Sequence, residues 1–214
     1  MAEGIKLLGR KSSANVQKVM WALEELGLDH EQIELGGQFG GLDTPEYKAM
    51  NPNSLVPTLQ DGDFVLWESH AIVRYLAAKY GTGSLWPENI RARALADQWT
   101  GWTSARFQPA WIGVFVAVVR TSPASRSPET IAKLTADTHA CFAIMDAQLA
   151  KTPFLAGAVL TYADIVAGVE MYRWTTMQVD RGSFPAVEAW HRRLLERPAF
   201  VAAVNIDYSD LVAR

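Results

Sequence analysis

The stretch Asn51–Tyr75, NPNSLVPTLQDGDFVLWESHAIVRY, decides how the rest of the chain is read. Val56-Pro57 stands where an apolar strand begins, and a proline there can hold a cis bond that presents the Val56 backbone to a ligand. Two short strand-like runs follow, Thr58–Leu59 and Phe64–Trp67, joined by Asp61-Gly62 as a tight hairpin turn. Glu68-Ser69 then opens a helix in which Ile72, Tyr75 and Leu76 recur on one face. With Ser69 as N-cap, free backbone N–H groups and the positive helix end suit a carboxylate, and Glu68 beside them suits an ammonium group. The predicted ligand is a small peptide-like molecule that carries both charges.

Working outward, short apolar runs at Ile5–Gly9 and Ile33–Leu35 read as two further strands. Between them Val16, Val19, Met20, Leu23 and Leu26 recur at helical spacing before Gly27 stops the helix. The order strand, helix, strand, short helix, strand, strand, helix predicts a small mixed sheet flanked by helices, a thioredoxin-like α/β domain over residues 1–81. Gly81–Pro87 (GTGSLWP) reads as a linker. From 90 to 214 every periodic segment is helical, which predicts an all-α C-terminal domain. Its expected helices are Arg91–Val119, broken or kinked at Pro109; Ile131–Leu149; Ile165–Gln178 after a Thr161–Asp164 capping box; Pro185–Glu196; and Ala199–Val204.

Composition narrows the function. The net charge of -3 comes from interspersed acids and bases, so nucleic acid is not an expected partner. The longest apolar stretch, Ala110–Val119, is too short for a bilayer span, and the start of the chain has no apolar run of signal-peptide length. A soluble, cytoplasmic protein is expected, with no membrane partner. One cysteine, Cys141, leaves no redox pair and no thiolate-rich metal site, and it is expected to be buried and inert. The histidines lack metal-ligand spacing, so no metal is expected; His70 is expected to point outward.

NPNSLVPTL, LWESHAIVRYL and the Thr161–Asp164 capping box, in this order and spacing, resemble the cytosolic glutathione transferases over nearly the whole chain. LLGRKSSANVQKVMWALEELGL is most similar to the proteobacterial B-type group. The resemblance implies glutathione as co-substrate, its γ-glutamyl end supplying the paired amine and carboxylate, with Val56, Pro57, Glu68 and Ser69 around it. It also implies an electrophile pocket between the domains and a homodimer. A free thiol titrates near about 8.5, so a donor aimed at sulfur is needed to hold thiolate at neutral pH. Ser12, Ser13 and Asn15 follow the first strand, and the resemblance favours Ser13, assisted by Asn15, as catalytic residues; Ser12 is assigned to glutathione binding. No tyrosine lies between Ile5 and Leu23 to take that role. Family members often carry Gly-Lys before Val-Pro where this chain has Ser54-Leu55, so Gln38 or Arg10 is expected to replace the lysine contact. Trp102 and Arg106, one turn apart, are the expected substrate-pocket residues.

Each assignment has a plainer counterpart. The serines suit a turn that caps the first helix, and an acid such as Glu68 is favoured at any helix start. The tryptophan-rich stripe from Trp99 to Phe115 suits a core as well as a pocket. Three functions are therefore weighed: a transferase acting on small electrophiles, such as activated halides or an α-halo acid; a glutathione-dependent peroxidase or disulfide reductase; and a non-catalytic binding module.

Overall fold

The computed structural model describes residues 4–213. Four strands, β1 (Ile5–Leu8), β2 (Glu31–Ile33), β3 (Thr58–Asp61) and β4 (Phe64–Trp67), form one sheet in the order β2-β1-β3-β4. The β1–β2 pair is parallel and is joined through α1 (Ala14–Glu25), whereas β1–β3 and β3–β4 are antiparallel. Asp61 pairs with Phe64, so the hairpin turn is Gly62-Asp63 and not Asp61-Gly62; Gly62 takes the positive φ of 63° that this tight turn requires. β2 begins earlier than its apolar residues suggested, because Glu31 and Gln32 pair with Lys6 and Leu7 while pointing partly into solvent. A short α2 (Pro45–Met50) and α3 (Ser69–Tyr80) complete this half. The arrangement is thioredoxin-like.

The second half is helical: α4 (Ile90–Trp102), α5 (Gln108–Phe115), α6 (Pro128–Leu149), α7 (Tyr162–Thr176), α8 (Pro185–Leu195) and α9 (Pro198–Val204). The break expected at Pro109 is not a gap. A wide π turn at Thr103–Phe107 links α4 to α5, accommodating a ring that cannot donate to the preceding turn. A second π turn, Val116–Arg120, ends α5.

α1 is the pivot of the molecule. Every residue from Val16 to Leu23 is buried, so the helix is covered by the sheet on one side and the helical half on the other. Trp21, fully buried, meets Phe200 edge-on at a centroid distance of 4.8 Å. Burying a tryptophan side chain is worth roughly 2–3 kcal/mol, which makes this contact a main tie between the halves. α7 reaches α1 through Gly168, where an added Cβ would lie 3.0 Å from Trp21 and 2.7 Å from Leu194. The α7 N-terminus carries the expected capping box: Thr161 caps the helix and Asp164 accepts from the Thr161 backbone N–H at 3.0 Å. Cys141 is buried, and burial pushes its thiol up from the ordinary value.

Candidate functional site

The start of α1 opens into a cavity of about 280 Å³ between the two halves. Ser13 is the N-cap residue, yet its hydroxyl makes no capping bond. No acid occupies the first turn of α1, so its positive end is left for another anion. Ser13 and Asn15 both line the cavity, facing Trp111, Ile112 and Phe115 of α5. Asn15 also borders a smaller cleft of about 60 Å³, shared with Asn51, Val56, Pro57, Glu68 and Ser69. Asn15, Leu55 and Val56 are therefore where the two spaces join.

The cleft has the groups needed for a charged, peptide-like ligand. The Val56-Pro57 bond is cis. Among the described residues the Val56 N–H and C=O have no hydrogen-bond partner, and a strand-like ligand would satisfy both. The helix boundary differs from expectation in a useful way. Glu68, not Ser69, is the N-cap, with φ of 73°, and Ser69 is the first helical residue and buried. The free N–H groups of the α3 start thus lie beside an exposed carboxylate, so an ammonium and a carboxylate on one ligand both find partners.

The larger cavity is cationic. Arg10, Arg120 and Arg173 line it, and Glu170 lies beneath them, fully buried. Arg173 donates to the Ser12 carbonyl and lies over the Phe115 and Tyr208 rings at 5.1 and 5.3 Å. Burial pulls Arg173 down to about 10, still charged at neutral pH. Arg120 is likewise lowered, by burial and then by Arg10. The Nε atoms of Arg10 and Arg173 are buried and unpaired, donors waiting for an acceptor.

Behind Asn15 lies a buried polar cluster. Lys18 is fully buried; its Nζ donates to Asn15 Oδ1 at 3.1 Å and Gln108 Oε1 at 3.0 Å, and lies 3.2 Å from His70 Nε2. Glu170 Oε1 stands 3.1 Å from the same nitrogen, outside hydrogen-bonding geometry, and supplies the countercharge. Burial lowers the Lys18 pKa and the Glu170 carboxylate opposes that shift. His70 is held inward, its Nδ1 2.6 Å from Ser104 Oγ, and does not point to solvent. Burial, with the Lys18 charge, pushes it down to about 3, so it is neutral and accepts from Lys18.

Not all the expected site residues meet here. The Ser12 hydroxyl donates to Asp210 at 2.7 Å and does not line either space. Gln38 is exposed in the turn Gly37–Phe39, outside both. Arg10 does face the cavity. Trp102 stacks on Phe107 at 6.1 Å and Arg106 is exposed; neither lines the cavity, because the π turn at Thr103–Phe107 rotates the next wall, Trp111 and Phe115, into it. Sequence reasoning missed Lys18, Gln108, Glu170, Arg120 and Arg173. One signal was present: Glu170 and Arg173, three residues apart, interrupt the otherwise apolar α7. A cavity of about 330 Å³ among α6, α7 and α8 shares no residue with this site. No group of three or more His, Cys, Asp or Glu among the described residues could hold a metal ion. Nor is any described helix long and apolar enough to cross a membrane.

A thioredoxin-like sheet joined to a helical half, with the helix start of α1 open between them, defines the two-part fold of the cytosolic glutathione transferases. The family description "Glutathione S-transferase, N-terminal domain" matches residues 7–84 and "Glutathione S-transferase, C-terminal domain" matches 110–198. Glutathione S-transferase GstB of Escherichia coli (strain K12) is 40% identical over 207 residues, 96% of this chain and 100% of that one. The disulfide-bond oxidoreductase YfcG of the same strain is 30% identical over 86% of this chain and 87% of its own length. The crystal structure of the theta class glutathione S-transferase from the citrus canker pathogen Xanthomonas axonopodis pv. citri with glutathione bound superposes with a TM-score of 0.92 at 44% identity, covering 96% of this chain and 99% of that one. The chain belongs to the glutathione S-transferase family.

Proposed function

We propose that the chain binds glutathione across the Val56–Ser69 cleft and holds its thiol as thiolate at the start of α1, for attack on a small electrophile in the cationic cavity. The single observation that carries this is the meeting of the two spaces at Asn15, beside Ser13, at a helix start with no competing acid. The residues fit the co-substrate: Glu68 for its ammonium, the free N–H groups of α3 for the α-carboxylate, Val56 for its backbone and Arg10 for the glycine carboxylate. Ser13 hydroxyl and Asn15 amide are the two donors to sulfur. Lowering a thiol pKa from about 8.5 by about two units takes roughly 2.7 kcal/mol, within reach of two charge-assisted hydrogen bonds. Once the thiol proton has passed to solvent, a sulfur lone pair forms the new C–S bond while the carbon–halogen bond breaks and the halide leaves with its electrons. Holding both reactants in one cavity supplies the rest of the rate.

Arg120 and Arg173, the cavity-wall cations left once Arg10 holds glutathione, favour an electrophile that carries a negative group, of which an α-halo acid is the simplest. The test compares turnover of an α-halo acid with that of its amide, at fixed glutathione. A preference for the acid supports the reading; equal rates at all substrate concentrations contradict it. The likeness to YfcG favours one alternative, attack of the same thiolate on a disulfide sulfur, and rates with a disulfide substrate in the same assay decide between them. Membership of the family also supports a homodimer, which light scattering on the purified chain will test.

A further inference from the structure

Asn15 Oδ1 accepts from Lys18 Nζ at 3.1 Å and from Gln108 Nε2 at 3.1 Å. An ammonium only donates, so the Asn15 atom that faces it has to be the oxygen, which settles the amide orientation. With both lone pairs of that oxygen engaged, Asn15 Nδ2 is the group left for the cavity. It has no hydrogen-bond partner among the described residues and is not sealed from solvent. Gln108 is oriented by the same logic, its Oε1 turned to Lys18 and its Nε2 therefore turned to Asn15. Lys18 in turn is held from four directions, by Asn15, His70, Gln108 and Glu170.

We propose that Lys18 is a positioning residue for thiol activation: with Gln108 it locks the Asn15 amide so that Nδ2–H addresses the sulfur, and buried Glu170, 3.1 Å from Nζ, is its countercharge. The proposal rests on the reading of Asn15 as a thiol donor and extends it. Asn15, Lys18 and His70 come from the sheet half, whereas Ser104, Gln108 and Glu170 come from the helical half. The donor is therefore set only when the two halves are packed together. A hydrogen bond from a cation to Oδ1 also polarises the amide and makes Nδ2–H a better donor to a thiolate.

The test is a double-mutant cycle read in the pH dependence of kcat/KM. Breaking a buried ion pair from one side destabilises strongly, but replacing both partners by neutral groups is tolerated, so Lys18→Met is made together with Glu170→Gln. One hydrogen bond to sulfur is worth roughly threefold to tenfold, or about half to one pKa unit. Asn15→Ala and the paired variant are each expected to raise the apparent thiol pKa by that amount. Each should lower kcat/KM about threefold to tenfold at pH 5.5, below the thiol pKa of the wild-type complex, with rates converging on the wild type in alkali, where thiolate forms unaided. Adding Asn15→Ala to the paired variant should change nothing further. Additive effects, or a paired variant with the wild-type pH profile, overturn the proposal. If Asn15→Ala leaves the wild-type profile unchanged, the proposal falls because Asn15 is no donor, and Ser13→Ala then decides separately whether thiol activation stands. Should the paired variant not fold, Gln108→Leu removes the second lock alone; a smaller upward shift supports the proposal and no shift overturns it.

Discussion

Replacing Asp164 by alanine removes the acceptor on which three buried N–H donors converge, together with the Thr161 hydroxyl at 3.3 Å, which can turn to another partner. Oδ1 accepts from the Leu155 N–H at 2.9 Å and Trp190 Nε1 at 3.1 Å, and Oδ2 from the Thr161 N–H at 3.0 Å. All three donors lie in residues that are 0–2% exposed, so water cannot replace the lost acceptor. At about 2 kcal/mol for each stranded donor, the loss is about 6 kcal/mol. Against this, burial raises the Asp164 carboxyl to about 6 from 3.8, a cost to the charged form of about 3 kcal/mol at neutral pH that the variant avoids. The expected net loss is therefore about 3 kcal/mol, a fall in Tm of about 6–12 °C for a chain of this size. The sign of the pH dependence follows from the same numbers. Between about 4 and 6 the folded wild type binds a proton that the unfolded chain does not, so this group stabilises in acid and the contribution is lost as pH rises through about 6. The gap between wild type and Asp164→Ala should widen as pH falls from 6 toward 4. Urea denaturation followed by tryptophan fluorescence at pH 7 and pH 5 measures it; a loss under about 1 kcal/mol at pH 7, or a gap that narrows in acid, refutes the account.

Arg120→Gln should raise KM for an α-halo acid about fivefold and leave the amide analogue unaffected, as expected for a partly solvated charge worth about 1 kcal/mol; steady-state kinetics with both substrates will show it. His70 is held near 3 in the fold and titrates near 6.5 when unfolded, so it destabilises as pH falls below 6.5. His70→Asn should flatten that acid loss by at most about 1.4 kcal/mol per pH unit, less where solvent reaches the half-buried ring, as measured by urea melts from pH 7.5 to 5. Gly168→Ala places a methyl 2.7 Å from Leu194 and 3.0 Å from Trp21, and should cost about 1–3 kcal/mol in the same melts; an unchanged midpoint would mean α7 does not pack on α1 as described.

The fold was largely legible because its signals are local. Val16, Val19, Met20 and Leu23 mark α1, and Thr161 with Asp164 marks the start of α7. Boundaries went astray where pairing or backbone geometry overrides side-chain pattern, as at β2, whose ladder recruits Glu31 and Gln32, and at Glu68, whose positive φ moves the N-cap back one residue. In the candidate site, the part carried by the sheet domain was legible as a cluster: Val56-Pro57 and Glu68-Ser69, close in sequence, line one cleft. The other half was not. Lys18 interrupts an apolar face of α1 without apparent reason until Gln108 and Glu170, from distant helices, close around it. Trp102 and Arg106 fall one π turn before the cavity-lining residues Trp111 and Phe115, and a widened turn leaves no mark in periodicity.

The most direct test of the central claim is the ultraviolet difference absorbance of thiolate as glutathione is titrated into the protein across pH, for the wild type, Ser13→Ala and Asn15→Ala. The account predicts a thiolate band at neutral pH in the wild type, with a bound-thiol pKa about two units below 8.5, that moves to higher pH in each variant. Glutathione that binds with its thiol still titrating near about 8.5 in all three proteins would contradict it.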